Sequence, residues 1–144
     1  MARVAVLDDY QSVAMEMADW NMLPSNVEVV TFQDHLFDED ALVQRLADFD
    51  VVMGMRERTP FPKSLLDRLP NLKLLITTGM GNASFDIAAA TELGIVVSGT
   101  SSGGGPGTME LTWGLILSLA RRIPLEDKST REGAWEVTVG DGLA

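Results

Sequence analysis

A chain of 144 residues without cysteine is long enough to bury one domain core, and it excludes disulfides, thiolate metal sites, iron–sulfur clusters and a cysteine nucleophile. Its 11 Lys and Arg against 21 Asp and Glu leave a formal charge of −10, which argues against non-specific nucleic-acid binding and against docking on anionic lipid. The first apolar run meets Asp8-Asp9 too early for a signal peptide, and the longest apolar stretch, residues 111–120, is about half of what a bilayer requires. The expectation is a cytoplasmic globular domain.

Short apolar runs alternate with amphipathic ones. Residues 4–7 read as a buried strand, and residues 10–20, apolar at Val13, Met15, Met17 and Ala18, as a first helix. Residues 27–32 read as a second strand. Residues 38–48 read as a helix capped by Asp38, with Ala41, Leu42, Leu46 and Ala47 on one face. A third strand follows at 51–53, and a short helix at 62–69 with Pro62 in its first turn. Residues 72–76 give a fourth strand, 85–93 a helix closed by Gly94, and 95–97 a fifth strand.

A glycine-rich loop, residues 98–107, then leads to the strongest helix, 108–122. Met109, Thr112, Leu115, Ile116 and Leu119 are spaced there for one face, and Arg121-Arg122 suit the C-terminal dipole. A short helix at 125–132 and a tail without clear period complete the chain. Strands separated by helices imply a parallel sheet with right-handed crossovers. The fold expected is α/β: a flavodoxin-like three-layer arrangement, with a five-stranded parallel sheet of order 2-1-3-4-5 plus a C-terminal crossover helix.

In such sheets ligands sit beyond the carboxyl ends of the strands. Asp8-Asp9 there suggests a phosphoacceptor receiver domain, but the third strand ends without an aspartate and no lysine follows the fifth. Helix capping is the simpler role for Asp8 or Asp9. Those aspartates would also repel a flavin phosphate. The loop around Gly103, Gly105 and Pro106 lacks the Gly-Lys-Ser/Thr of a P-loop and the last glycine of G-x-G-x-x-G.

Arg56 and Arg58 are placed to grip a small carboxylate or phosphate, with surface pairing to Glu57 or Asp67 as the plainer role. Gly79-Met80-Gly81 offers backbone N–H groups as an anion cradle. His35, the sole histidine, reads as a solvated loop residue, with no acid–histidine dyad and no metal cluster in view. Trp113 and Trp135 read as packing residues.

Taken together, four segments resemble the D-isomer-specific 2-hydroxyacid dehydrogenases, the phosphoglycerate dehydrogenase-like family. They are Met55-Arg56-Glu57-Arg58-Thr59; Leu69-Pro70-Asn71-Leu72 with Gly79-Met80-Gly81 and Phe85-Asp86; Glu92-Leu93-Gly94-Ile95-Val96-Val97; and Thr108-Met109-Glu110-Leu111 with Ala120-Arg121-Arg122-Ile123-Pro124. The resemblance covers essentially the whole chain. It implies a substrate-binding (catalytic) domain over residues 1–144, with the Rossmann NAD-binding domain and its catalytic arginine, glutamate and histidine outside this sequence.

On that resemblance Met55, Arg56 and the backbone around Met80 and Gly81 would bind substrate, and Thr108 would lie on the cofactor side. No catalytic residue or metal ligand is assigned. NAD would serve the full-length enzyme and would not bind this chain tightly; a 2-hydroxy or 2-keto acid would bind weakly. Ala83-Ser84 stands where the family has a polar Asp-Asn pair. The chain alone would be inactive, either an excised half-site or a non-catalytic folding or oligomerisation module, monomeric or dimeric by exchange of the 108–122 helix.

Overall fold

The computed structural model describes residues 1–101 and 105–143. The glycine-rich loop therefore lies partly outside the described residues. The chain divides into two compact units, Met1–Ser102 and Gly103–Ala144.

In the first unit β1 (Ala2–Val6), β2 (Val27–Thr31), β3 (Val51–Gly54), β4 (Leu74–Thr77) and β5 (Val96–Gly99) form one parallel sheet in the order β2-β1-β3-β4-β5. Order and direction are those expected. The side-chain period of two sets the faces. Ala5, Leu7, Val52 and Leu75 join one buried cluster with Leu42 and Leu46 of α1 (Glu39–Leu46), Leu65 and Leu66 of α2 (Lys63–Leu66), and Ala89 and Ala90 of α3 (Ile87–Glu92). Caps start two of these helices: Asp38 accepts from Ala41 N–H at 2.8 Å, and Asp86 from Ala89 N–H at 2.9 Å.

The first expected helix does not form. The Asp9 carboxylate accepts from the N–H groups of Val13 (3.0 Å) and Ala14 (3.1 Å), and Ser12 takes a left-handed φ of 57° that ends any helix begun at residue 10. The Trp20 indole N–H then takes the Ala14 carbonyl at 2.8 Å, the acceptor a helix would offer to Ala18. What remains is a turn-rich segment and a 3-10 helix, Trp20–Met22. Val13, Met17 and Trp20 still cover the second sheet face, lining a cavity of about 230 Å³ with Val6 and Met53.

Between β1, β3 and β4 the Asp50 carboxylate accepts from Lys73 Nζ at 2.7 Å and from Arg3 N–H at 3.0 Å. The Lys73 hydrogen bond, followed by that of Arg3, holds the Asp50 carboxyl below its ordinary range. A carboxyl depressed in the folded state stabilises above its unfolded pKa, about 3.9, and that contribution disappears as pH falls through the folded value. Asp50→Asn should therefore flatten the fall of Tm below about pH 4, as read by thermal melts.

In the second unit α4 (Gly107–Ala120) and α5 (Ile123–Arg131) are joined through Arg122, at a left-handed φ of 53°. Glu126 ties the tail to α5, accepting from Thr138 Oγ1 at 2.5 Å, Thr138 N–H at 2.8 Å and Val137 N–H at 3.2 Å. Trp113 and Trp135, expected in packing, are exposed. So are Met109, Leu111, Leu115, Leu117 and Leu119 along α4. No helix among the described residues is long and apolar enough to cross a membrane.

Candidate functional site

Two loops meet beyond the carboxyl ends of β3 and β4. Arg56 follows β3 at a left-handed φ of 54°, which turns the chain toward the β4 loop. Its N–H donates to Thr78 Oγ1 at 3.1 Å, and the Thr78 hydroxyl in turn donates to Met55 Sδ at 3.3 Å. The Arg56 guanidinium reaches the Thr78 carbonyl at 3.5 Å and lies against Gly79, where a Cβ would collide with Nη1. Gly79 itself has φ 124°, a conformation that glycine alone adopts without strain.

The β4 turn is fixed from both sides. Gly79 N–H donates to Thr100 Oγ1 at 2.8 Å, and its carbonyl accepts from Thr100 N–H at 2.9 Å. Asn82 is buried beneath the turn. Its amide donates to the Arg56 carbonyl and, at 3.0 Å, to Thr77 Oγ1, while its oxygen accepts from Ser84 N–H at 2.9 Å. Asn82 thus locks the Arg56 loop to the glycine turn. Together with Ser84 it supplies the polar ties of a turn in which Ala83 offers none.

The N–H groups of Met80 and Gly81 meet no acceptor among the described residues. The Met80 side chain is exposed, and the space a Cβ would enter at Gly81 is empty. Two free backbone donors and one guanidinium, whose Nε lies 3.9 Å from the Glu57 carboxylate, are groups of the kind from which a small anion accepts, and the planar fork of arginine suits a carboxylate. Met55, Arg56, Met80 and Gly81 are accordingly brought together. Thr108 belongs to the other unit, exposed in the first turn of α4, where its carbonyl accepts from Thr112 Oγ1 at 2.8 Å.

A second polar cluster lies at the ends of β1 and β2, and it corrects the reading of His35. Rather than being solvated, His35 places Nδ1 2.7 Å from Oδ1 of Asp8, whose side chain is 1% exposed. Asp8 Oδ2 accepts from Thr59 Oγ1 at 2.7 Å, and the Asp8 carbonyl accepts from Arg58 at 2.8 Å. Arg58 stacks on Tyr10 at 4.6 Å and, among the described residues, pairs with no carboxylate. The expected partner of Arg58 is therefore replaced by a ring and a carbonyl. Burial and the neighbouring Asp8 raise the Tyr10 hydroxyl above its ordinary pKa. The cap expected of either aspartate falls to Asp9 alone.

The N-termini of α1 and α3 offer a dinucleotide no cradle. The pyrophosphate needs a free helix N-terminus after a glycine turn. Here α3 begins at Ile87, beyond the Gly79–Gly81 turn, and the Asp86 carboxylate already occupies its N-terminal donors. Asp38 does the same at α1. The N-termini of α1 and α3 do not fit the pyrophosphate of NAD.

The model of the family described as D-isomer specific 2-hydroxyacid dehydrogenase, catalytic domain, matches residues 4–137. The chain belongs to that family. A D-3-phosphoglycerate dehydrogenase of Methanocaldococcus jannaschii is 29% identical over 136 residues, covering 94% of this chain and 24% of the relative. A hydroxypyruvate reductase of Thermotoga maritima is 31% identical over 115 residues, covering 80% and 37%. The crystal structure of a phosphoglycerate oxidoreductase from Vibrio cholerae superposes with a TM-score of 0.85 at 33% identity, covering all of this chain and 46% of that one. The chain thus spans less than half the length of each of these three.

Proposed function

We propose that this chain is the substrate-binding part of a D-2-hydroxyacid dehydrogenase using NAD(H). The observation that carries this reading is the Arg56 guanidinium lying against Gly79, beside the free N–H groups of Met80 and Gly81. In this reading the turn and the guanidinium hold the carboxylate of a 2-hydroxy or 2-keto acid, and Met55 lines the same loop. Asn82 and Thr78 keep the donors in place before the ligand arrives, which lowers the ordering cost of binding. In this reading dinucleotide binding and proton transfer belong to residues outside this chain, and Thr108 lies on the cofactor side.

Pyruvate titrated against the chain should shift the methyl signals of Met55 and Met80, with millimolar affinity. Arg56→Ala should weaken that binding about tenfold or more, the loss of one charge-assisted contact, with little change in Tm because Arg56 is exposed. Equal affinity in the variant would reject the carboxylate role. No NADH consumption is expected from the chain with pyruvate.

The second reading, an oligomerisation module, is favoured by α4. A helix apolar on all sides is normally covered. If a second copy covers it, light scattering will show a mass that rises with concentration, and Leu111→Glu with Leu119→Glu will return it to the monomer. A constant monomer mass would dismiss this reading.

A further inference from the structure

Asp8 ties three strand-end loops together. Its carboxylate takes His35 from the β2 end and Thr59 from the β3 loop, and its carbonyl takes Arg58 from that same loop. The segment between β3 and Thr59 is the one that carries Arg56. It is held on one side by Thr78 and Asn82 and on the other through Asp8 and the stacking of Arg58 on Tyr10. His35 Nδ1 lies 2.7 Å from Asp8 Oδ1, so with the carboxylate as acceptor the ring presents Nδ1–H to it.

We propose that Asp8 and His35 are positioning residues that hold the β3 loop so that Arg56 meets the β4 turn. The proposal rests on the reading that Arg56, Met80 and Gly81 hold a carboxylate. Removing the His35 contact frees one arm of Asp8, and the Thr59 anchor then swings with it.

The other groups around this pair are Tyr10 from the β1 end, Arg58 and Thr59 from the β3 loop, and the Asp34–Arg45 ion pair beside His35, closed at 2.6 Å. Phe37 packs edge-on at 4.4 Å and shields the ring. Asp34 is held below the ordinary carboxyl range by Arg45, so it keeps its charge across the neutral range.

The test is a pyruvate titration of the full 144-residue chain with methyl-labelled methionine, read at Met55 and Met80. His35→Ala and Asp8→Asn should weaken binding severalfold and shift the Thr59 amide resonance. His35→Gln keeps a donor for Asp8, so its affinity should stay within about twofold of the unaltered chain. Should Asp8→Asn fail to fold, the part-exposed His35 still decides through its two variants.

Unchanged affinity in folded His35→Ala, or a loss in His35→Gln equal to that in His35→Ala, overturns the positioning role and leaves the Arg56 reading standing. Absence of pyruvate binding by the unaltered chain overturns that reading, and this proposal with it.

Discussion

Replacing Phe61 with alanine is expected to lower the stability of the chain by about 3–5 kcal/mol, the cost of emptying a closed aromatic site. Phe61 is wholly buried and meets Phe85 edge-on at 5.2 Å. Its N–H donates to the Ser84 carbonyl at 2.8 Å, and its own carbonyl accepts from Asp86 N–H at 3.0 Å. The neighbourhood has little room to collapse, since even a Cβ at Gly54 would come within 2.9 Å of the Phe85 ring. Against a total stability of about 5–15 kcal/mol such a loss is large. Urea unfolding should show the midpoint falling, with Phe61→Leu costing less than half as much. The effect should reach the site, because Phe61 pins the end of the Arg56 loop to the strand of chain that leaves the β4 turn. A loss below about 1 kcal/mol would mean that the Phe61–Phe85 pair is not a keystone of this core.

The sheet was legible because each strand is a short apolar run ended by a glycine, an aspartate or a threonine, and because helices alternate with strands. Those features act locally, so they survive reading one segment at a time. The missing first helix shows the opposite case. Val13, Met15, Met17 and Ala18 have apolar character, but the competitors for their backbone are Asp9 and Trp20. Asp9 was visible as a capping residue. That its two oxygens would take both Val13 and Ala14, and that an indole would take the Ala14 carbonyl, depends on where the segment lies over β1 and β3. In α4 the spacing of Met109, Thr112, Leu115, Ile116 and Leu119 describes one face, yet apolar residues lie on the others as well. An all-round apolar helix carries no signal for which side is covered.

At the site, Arg56 and the glycine turn were legible from chemistry: a cation after one strand and exposed donors after the next. Asn82, Thr78, Thr59 and the Asp8–His35 pair were not. Their bonds span 22 to 51 residues of sequence, apart from the short-range ties of Asn82. One signal was available for Asn82. It directly follows Gly79-Met80-Gly81 in a turn that lacks the usual polar pair, so some other side chain had to satisfy the turn. For His35 the loop context misled, since a polar stretch with one acid gives no hint that Asp8, beyond the end of the neighbouring strand, reaches across. The position of β2 beside β1 supplies that link, and it follows from the strand order once the order is granted.

Gly99→Ala is expected to remove pyruvate binding almost completely while leaving the chain folded. Gly99 ends β5, opposite Thr77 in the ladder. A Cβ built there lies 2.6 Å from the Gly79 carbonyl oxygen and 2.9 Å from that of Met80. Both neighbours are backbone, so no side chain can rotate away, and the turn itself must move. Its movement would break the Thr100 contacts with Gly79 and tilt the Met80 and Gly81 N–H groups away from the Arg56 guanidinium. Each misdirected donor costs about 1 kcal/mol or more of binding, and losing the alignment of the set amounts to tenfold or beyond. The stability cost should be smaller, about 1–3 kcal/mol, because the shift falls at a sheet edge and not in the core. Gly81→Ala is the matched control: open space surrounds that position, so its affinity should stay within about twofold. If Gly99→Ala binds as well as the unaltered chain, the anion is not held by the β4 turn. If Gly81→Ala fails equally, the ligand approaches Gly81 more closely than a methyl group allows.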